Sequence, residues 1–366
     1  MAVIKIFPQQ DATIYTEFPT QNTGISEILD LTKGPSLNYP SYSSAARVLV
    51  KFADSDISGS ISKYIGSSPF AATLKLYLTD AGSIPLLYDL EAYAISGSWD
   101  MGTGRIDNIP ITTNGVSWQN RTASPVNMWS SGSFTAGVTS SFFSGNPGGG
   151  NWYVSTRTTQ SFDNRSDLDV HIDVSSIINQ YASHSLINDG IIVKNDTLVE
   201  FDPNYAYSLH YFSIDTNTIY PPSLDLKWDD SVYTPNTGSM SQISSPNMVV
   251  SLGNNRGIYQ KDNIVRFNVN VRDQYPQRSF VTSSIFTVNK YLPSSSYYCV
   301  RDIDTNNIIF DFDNNYTKIS TDQNGSYFNL YMNGFEPERY YKLQIKTIIG
   351  GNTLVFDDNY YFKVNK

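Results

Sequence analysis

Along Arg47-Val48-Leu49-Val50-Lys51-Phe52, Val48, Val50 and Phe52 alternate with Arg47, Leu49 and Lys51. That period of two is expected of a strand with one buried face. The same period places Leu74, Leu76 and Leu78 on one side of a strand over residues 71–78, and another strand follows over 86–95. Leu168, Val170, Ile172 and Val174 alternate with Asp167, Asp169, His171 and Asp173, giving a strand with an acidic outer row. Ile57, Ile61, Tyr64 and Ile65 are instead spaced as on a short helical turn within 54–68, despite Gly59. Ser175 or Ser176 is placed to cap a second short helix running through Tyr181.

In the C-terminal third, strand patterns recur at 248–252, 264–271, 283–288, 297–301, 308–312, 327–332, 340–348 and 360–364. Val265, Phe267, Val269 and Val271 alternate cleanly with Arg266, Asn268, Asn270 and Arg272. So many short strands with turn signals between them predict an immunoglobulin-like sandwich, without the Cys…Trp…Cys pattern of antibody domains. Asp229-Asp230, Pro235, Asn236, Gly238 and several serines mark 230–246 as a linker. The expected organisation is all-β: a jelly-roll-like sandwich over 1–229, the linker, and the immunoglobulin-like sandwich over 247–366.

Composition agrees with a β-rich reading. Aromatic residues make up 14% of the 366-residue chain, with 26 tyrosines, and charged residues only 16%. Tyr and Thr suit half-buried pleated surfaces, while Asn, Asp, Ser and Gly suit turns. The net charge of −9, with no basic cluster, argues against a phosphate-binding surface and hence against nucleic acid. No apolar run reaches the roughly 20 residues of a membrane-spanning helix, and no membrane partner is expected. Met1-Ala2-Val3-Ile4-Lys5-Ile6 leads straight into the first strand and reads as no signal peptide, so the sequons at Asn120, Asn164, Asn195, Asn315 and Asn324 carry no expectation of glycosylation. Cys299 is the one cysteine, so no intrachain disulfide forms, and its strand context predicts a buried, inert thiol.

Several further segments fall in order around Arg47–Phe52. Upstream are Asp11-Ala12-Thr13-Ile14-Tyr15, Asn22-Thr23-Gly24 and Ile28-Leu29-Asp30-Leu31. Downstream are the strand 71–78, Val116-Ser117-Trp118, Asp173-Val174-Ser175-Ser176-Ile177-Ile178, Gly190-Ile191-Ile192-Val193-Lys194, Tyr211-Phe212-Ser213 and Pro221-Pro222-Ser223-Leu224. The series resembles the DNRLRE family of extracellular-type β-sandwich modules over residues 1–229. The resemblance implies a jelly-roll sandwich with kinship to carbohydrate-binding modules. Tyr297–Asp302, Tyr316–Ser320 and Pro337–Lys342 resemble C-terminal domains of structural proteins from large tailed phages.

No catalytic, cofactor or metal residue set emerges. His171, His184 and His210 form no HxH or HExxH pattern. Asp167, Asp169 and Asp173 lie side by side, whereas glycoside hydrolysis needs carboxyls facing each other across a cleft. Asp302, Asp304 and Asn306 begin like a calcium loop, with Asp313 near its end, but Asn307 stands where the loop requires glycine and strands replace the flanking helices. Gly148-Gly149-Gly150 precedes Trp152 and no helix, so it is expected as a flexible loop in the irregular 97–150 region, not a phosphate cradle.

The expected function is therefore non-enzymatic. The chain reads as a structural component of a tailed-phage virion at the neck, tail or capsid surface, assembled in the host cytoplasm. Its partners would be other virion proteins, in several symmetric copies. The alternative is a glycan-binding or receptor-binding adhesin, for which an exposed Trp99, Trp118, Trp129 or Trp152 would supply the stacking platform. A hydrolase is the third reading.

Overall fold

The computed structural model describes residues 2–35, 43–123, 127–129, 136–139, 148–163, 165–202, 204–235, 240–276 and 289–366. The fold is an all-β sandwich architecture in two compact units. One is built from Ile6–Gly66 and Ala71–Asp225, the other from Met1–Lys5, Ser67–Phe70 and Leu226–Lys366.

In the first unit an eight-stranded sheet runs in the order Thr158–Asp163, Leu87–Ala94, Ile191–Asn195, Ser43–Lys51, Ile28–Pro35, Tyr207–Phe212, Leu78–Gly82, with Gln10–Tyr15 also paired to Ser43–Lys51. Phe70–Leu76 pairs antiparallel with Val170–Asp173 elsewhere. The single strand expected over 71–78 is thus two strands in different sheets. Leu74 and Leu76 are buried, whereas Leu78 is half-buried and donates its N–H to Asp169 Oδ1 at 2.8 Å. The helical turn at 54–68 forms as an α-helix, Asp54–Ser60, continuing as a π-turn, Ile61–Ile65, and buries Ile57 and Ile65. The second helix, Ser175–Ala182, lacks the serine cap expected of it. Asp173 Oδ1 instead accepts the Ser175 N–H at 2.9 Å and the Ser175 hydroxyl at 2.5 Å.

The one-face expectation for Ser43–Lys51 fails. Val48 and Val50 are fully buried, but so are Arg47 and Leu49 on the other face. Leu49 belongs to a second core with Tyr93, Ile95, Ile192 and four tryptophans, Trp99, Trp118, Trp129 and Trp152. The described parts of the irregular region that carry Trp99, Trp118 and Trp129 lie over the outer face of the sheet, and a strand covered on both sides need not alternate apolar with polar.

The second unit packs a four-stranded sheet, Met248–Leu252, Ile264–Asp273, Gly325–Tyr331, Ser320–Asp322, and a five-stranded sheet, Ile258–Gln260, Asn352–Asn365, Tyr340–Ile349, Ser296–Asp302, Ile308–Phe310. Phe267, Val269 and Val271 from one sheet and Tyr298, Leu343 and Phe362 from the other share one core. The strand expected at 283–288 lies outside the described residues. The stretch expected as a linker hydrogen-bonds along this unit: Thr234 N–H donates to Thr321 O at 2.8 Å, Ile243 N–H to Tyr291 O at 2.9 Å, and the Ile243 side chain is fully buried. Backbone pairing needs no apolar run, so composition alone did not reveal it.

One side chain anchors the start of the covering region in the first unit. Asn22 is fully buried, and its Nδ2 donates to Met101 O at 2.7 Å and Val116 O at 2.8 Å. Its Oδ1 accepts the Gly104 N–H at 2.7 Å. A Cβ on Gly102 or Gly115 would stand 2.4 Å or 2.6 Å from the Asn22 amide, so only glycine allows the approach. Asn22→Ala removes the partner of two carbonyls and of the Gly104 and Gly24 N–H groups, and is expected to lower stability by about 2–4 kcal/mol in urea unfolding. A loss below about 0.5 kcal/mol, the range of ordinary surface substitutions, would show that the clamp is dispensable.

Candidate functional site

The most densely charged place in the first unit is the outer face of the large sheet beneath this cover. The strand pairing sets Glu91 opposite Lys194, with Arg47 two strands from Glu91 on the same face. Arg47 and Glu200 form a bidentate pair, Nε to Oε1 and Nη2 to Oε2, both at 2.7 Å. Glu200 arrives on the turn that follows Ile191–Asn195, its N–H donated to Asp196 O at 2.8 Å. Lys194 Nζ lies 3.2 Å from Glu200 Oε2 and 3.3 Å from Glu91 Oε2, and donates to Asn195 O at 2.7 Å. Glu91 also accepts from the Tyr93 hydroxyl at 2.9 Å and the Thr197 hydroxyl at 2.8 Å, and pairs with Arg157 at 2.6 Å. Asp196 lies 3.8 Å from Arg157. Arg47, Lys194 and Arg157 are thus balanced by Glu91, Asp196 and Glu200.

Aromatic rings close this cluster. The Arg47 guanidinium lies 4.8 Å from the Trp118 ring centre and 5.1 Å from that of Trp152, within cation–π range. Its Nη1 donates to Gly149 O. A Cβ on Gly149 would come within 2.6 Å of that nitrogen and 2.7 Å of Trp118, at a φ of +87°. Gly148-Gly149-Gly150 is therefore no flexible loop: all three are buried at the head of the strand Gly148–Tyr153. Burial alone would raise the Glu200 carboxyl, but Arg47 and Lys194 outweigh it and hold the group below its ordinary range. Glu91 follows the same balance, with burial opposed by Lys194, Thr197, Tyr93 and Arg157. Each charge here is paired with an opposite one, the arrangement that buried charges require.

Asp11 is the contrasting case. It is fully buried, Oδ2 accepts the Ile214 N–H at 2.8 Å, and Oδ1 has no hydrogen-bond partner among the described residues. Burial pushes its carboxyl up to about 7, the Ile214 N–H opposing and nearby Asp215 adding to the rise.

The residues singled out by sequence are not brought together. Asp169 binds the Leu78 N–H, Asp167 Oδ1 accepts the Asp169 N–H at 3.2 Å, and Asp173 holds Ser175. His171 is exposed on one strand, His184 sits at φ +55° after the helix, and His210 Nδ1 lies 2.6 Å from Asp30 Oδ1. Asp302 Oδ1 accepts the N–H groups of Asp304 and Thr305, at 2.9 and 3.0 Å, and Oδ2 binds Arg339 Nε at 2.5 Å. The segment that begins like a calcium loop is thus a hairpin turn whose first carboxylate is engaged, with Asn306 in the left-handed region at φ +59°. Among the described residues no group of three or more His, Cys, Asp or Glu is placed to hold a metal. Cys299 is buried, and burial pushes its thiol up to about 11. Trp99, Trp118, Trp129 and Trp152 are all buried, and the indole N–H groups of Trp99 and Trp129 are bonded to Asp189 O and Ser117 O.

Sequence reasoning missed Glu91 and Glu200. The available signal was two cations, Arg47 and Lys194, each two residues from an apolar side chain on its own face, Leu49 and Ile192.

A cleft of about 400 Å³ opens beside this cluster, lined by Leu87, Tyr88, Asp89, Phe162, Leu198 and Tyr205 among others. Tyr88 stacks on Phe162 with ring centres 4.8 Å apart, and its buried hydroxyl has no hydrogen-bond partner among the described residues.

No protein-family model matches the chain, and no curated protein matches it. Among solved structures, the tripod from the baseplate of bacteriophage Tuc2009 aligns over 98% of this chain and 91% of its own, at 10% identity and a TM-score of 0.16. A score that low transfers neither fold nor function. Among the described residues, no helix is long and apolar enough to cross a membrane.

Asp11 gives a pH test. Its proton is held more tightly in the folded chain than at the ordinary value of 3.8, so this group stabilises the fold fully below about pH 4. That contribution is lost as pH rises through about 7. Asp11→Asn, which cannot ionise, is expected to gain in melting temperature relative to the parent on going from pH 4.5 to pH 8. An equal loss at both pH values would show that Asp11 does not titrate in this range.

Proposed function

We propose that this protein is a non-enzymatic structural component of a tailed-phage particle, acting through protein–protein contacts and present in several copies. The observation that carries the reading is the distribution of polar and apolar groups in the first unit. Its densest charge cluster is buried and mutually neutralised, while large apolar side chains such as Ile109 and Leu198 stand at 97% and 88% exposure. Exposed apolar side chains on a well-anchored scaffold suit subunit contacts. The phage assignment rests on the resemblance of residues 297–342 to phage structural domains. A sugar-binding reading based on Trp99, Trp118, Trp129 and Trp152 lacks an exposed ring to stack on.

Immunogold electron microscopy with antibody against residues 247–366, applied to purified phage particles from the source, tests this reading. Label clustered at the neck, tail or capsid is expected. Particles without label, with the chain recovered free or on cells, would overturn it.

A further inference from the structure

The chain carries three Asn-Gly pairs, Asn114-Gly115, Asn324-Gly325 and Asn333-Gly334. Such a pair holds both partners of a reaction that needs no enzyme. The glycine nitrogen attacks the asparagine Cγ, the new C–N bond closes a succinimide ring, and the Cγ–Nδ2 bond breaks. The proton of the glycine N–H leaves with the amide nitrogen as ammonia. Water then opens the ring at one carbonyl to give aspartate, or at the other to give isoaspartate. Glycine favours the attack because it places no Cβ beside its nitrogen. The carboxamide must still swing freely and come close to that nitrogen, so the fold decides which pair reacts.

Asn114 is exposed but held at both ends of its amide. Its Oδ1 accepts the Thr103 N–H at 3.1 Å, and its Nδ2 donates to the Thr103 hydroxyl at 2.8 Å. Gly115 is buried so tightly that a Cβ there would stand 2.5 Å from Gly102 Cα. Asn333 lies inside the short helical turn Met332–Gly334, and its Oδ1 is buried. Met332 anchors that turn through its N–H to Asn263 O at 2.9 Å, and Phe335 N–H closes it on Met332 O at 3.2 Å.

Asn324 differs from both. Ser320–Asp322 pairs with Gly325–Tyr331 so that Asp322 faces Gly325, which leaves Gln323 and Asn324 as the whole exposed loop of a hairpin. The Asn324 N–H donates to Asp322 Oδ1 at 2.7 Å, while its carboxamide makes no hydrogen bond among the described residues. Gly325 is buried, but the attacking and attacked groups belong to adjacent residues, so no outside reagent has to reach it. It sits at φ +118°, and the nearest atom a Cβ would meet is Met240 Sδ at 4.0 Å, so the tip has room to move. The Asp322 carboxylate also accepts the Gly325 N–H and stands ready to take its proton.

We infer that Asn324 is a site of spontaneous deamidation in the folded chain, and that Asn114 and Asn333 are protected until the chain unfolds. The product adds a carboxylate two residues from Asp322, whose own carboxylate pairs with Arg266 at 2.6 Å. The isoaspartate form also lengthens the backbone of a two-residue loop by one carbon. This site is independent of the assembly reading.

Peptide mapping by mass spectrometry tests it, on the full chain incubated in mildly alkaline buffer with and without urea. In the folded chain, Asn324 is expected to convert about tenfold or more faster than Asn114 and Asn333, the effect of a carboxamide free of two hydrogen bonds. In urea the three pairs are expected to convert at similar rates. A folded chain in which Asn324 does not outpace the other two would overturn the inference. So would an Asn324 that stays intact when folded yet converts in urea.

Discussion

The bidentate pair between Arg47 and Glu200 is the constraint on which the first unit depends. A guanidinium on the central strand of a sheet would ordinarily point into water. Here it lies fully buried between Trp118 and Trp152, and burying it requires a carboxylate, a carbonyl and a cover supplied together. Glu200 comes from the turn after one neighbouring strand, Gly149 O from a strand in the covering region, and Lys194 and Glu91 extend the balance to the next strand. Ion pairs taken out of water are weak as net sources of stability but strict about geometry. The cluster therefore fixes how the cover lies on the sheet more than it adds binding energy.

The motif segments that suggested the family resemblance converge on the same purpose. Asn22 clamps 101–116, Trp118 O accepts the Gly149 N–H at 2.6 Å, Thr23 bonds Thr13 O, and Asp11 and Ser213 tie the ends of their strands together. These residues close a second hydrophobic core on the outside of the sheet. These bonds leave the polar groups of the cover engaged within the unit, while Ile109 and Leu198 stand exposed.

Period-two alternation revealed the strands, because burial on one face leaves that signature wherever the other face meets water. It held for Val170–Asp173 and Ile264–Asp273, whose outer residues are exposed or half-buried. It misled at Ser43–Lys51, where the cover comes from a segment some fifty to a hundred residues away, and no local pattern records a distant lid. The split at Tyr77 was hidden for a related reason: Leu74, Leu76 and Leu78 keep one period although the chain changes sheets between them. Glu91 and Glu200 were illegible singly, since a lone acid in a strand or turn is common, and only the third dimension pairs them with cations. The apolar tip at Ile109 reads in sequence as a plain loop, because its exposure depends on how Gln21 and Asn22 hold its base.

The central claim, that a buried charge pair positions the cover, is tested most directly by a double-mutant cycle on Arg47→Met and Glu200→Leu, read by urea unfolding. If the pair is the organising constraint, each single change strands a buried charge and costs about 3–5 kcal/mol, while the double change costs far less than the sum. Single losses near 1 kcal/mol that simply add would contradict it, and would place the cover's position in the packing of its tryptophans alone.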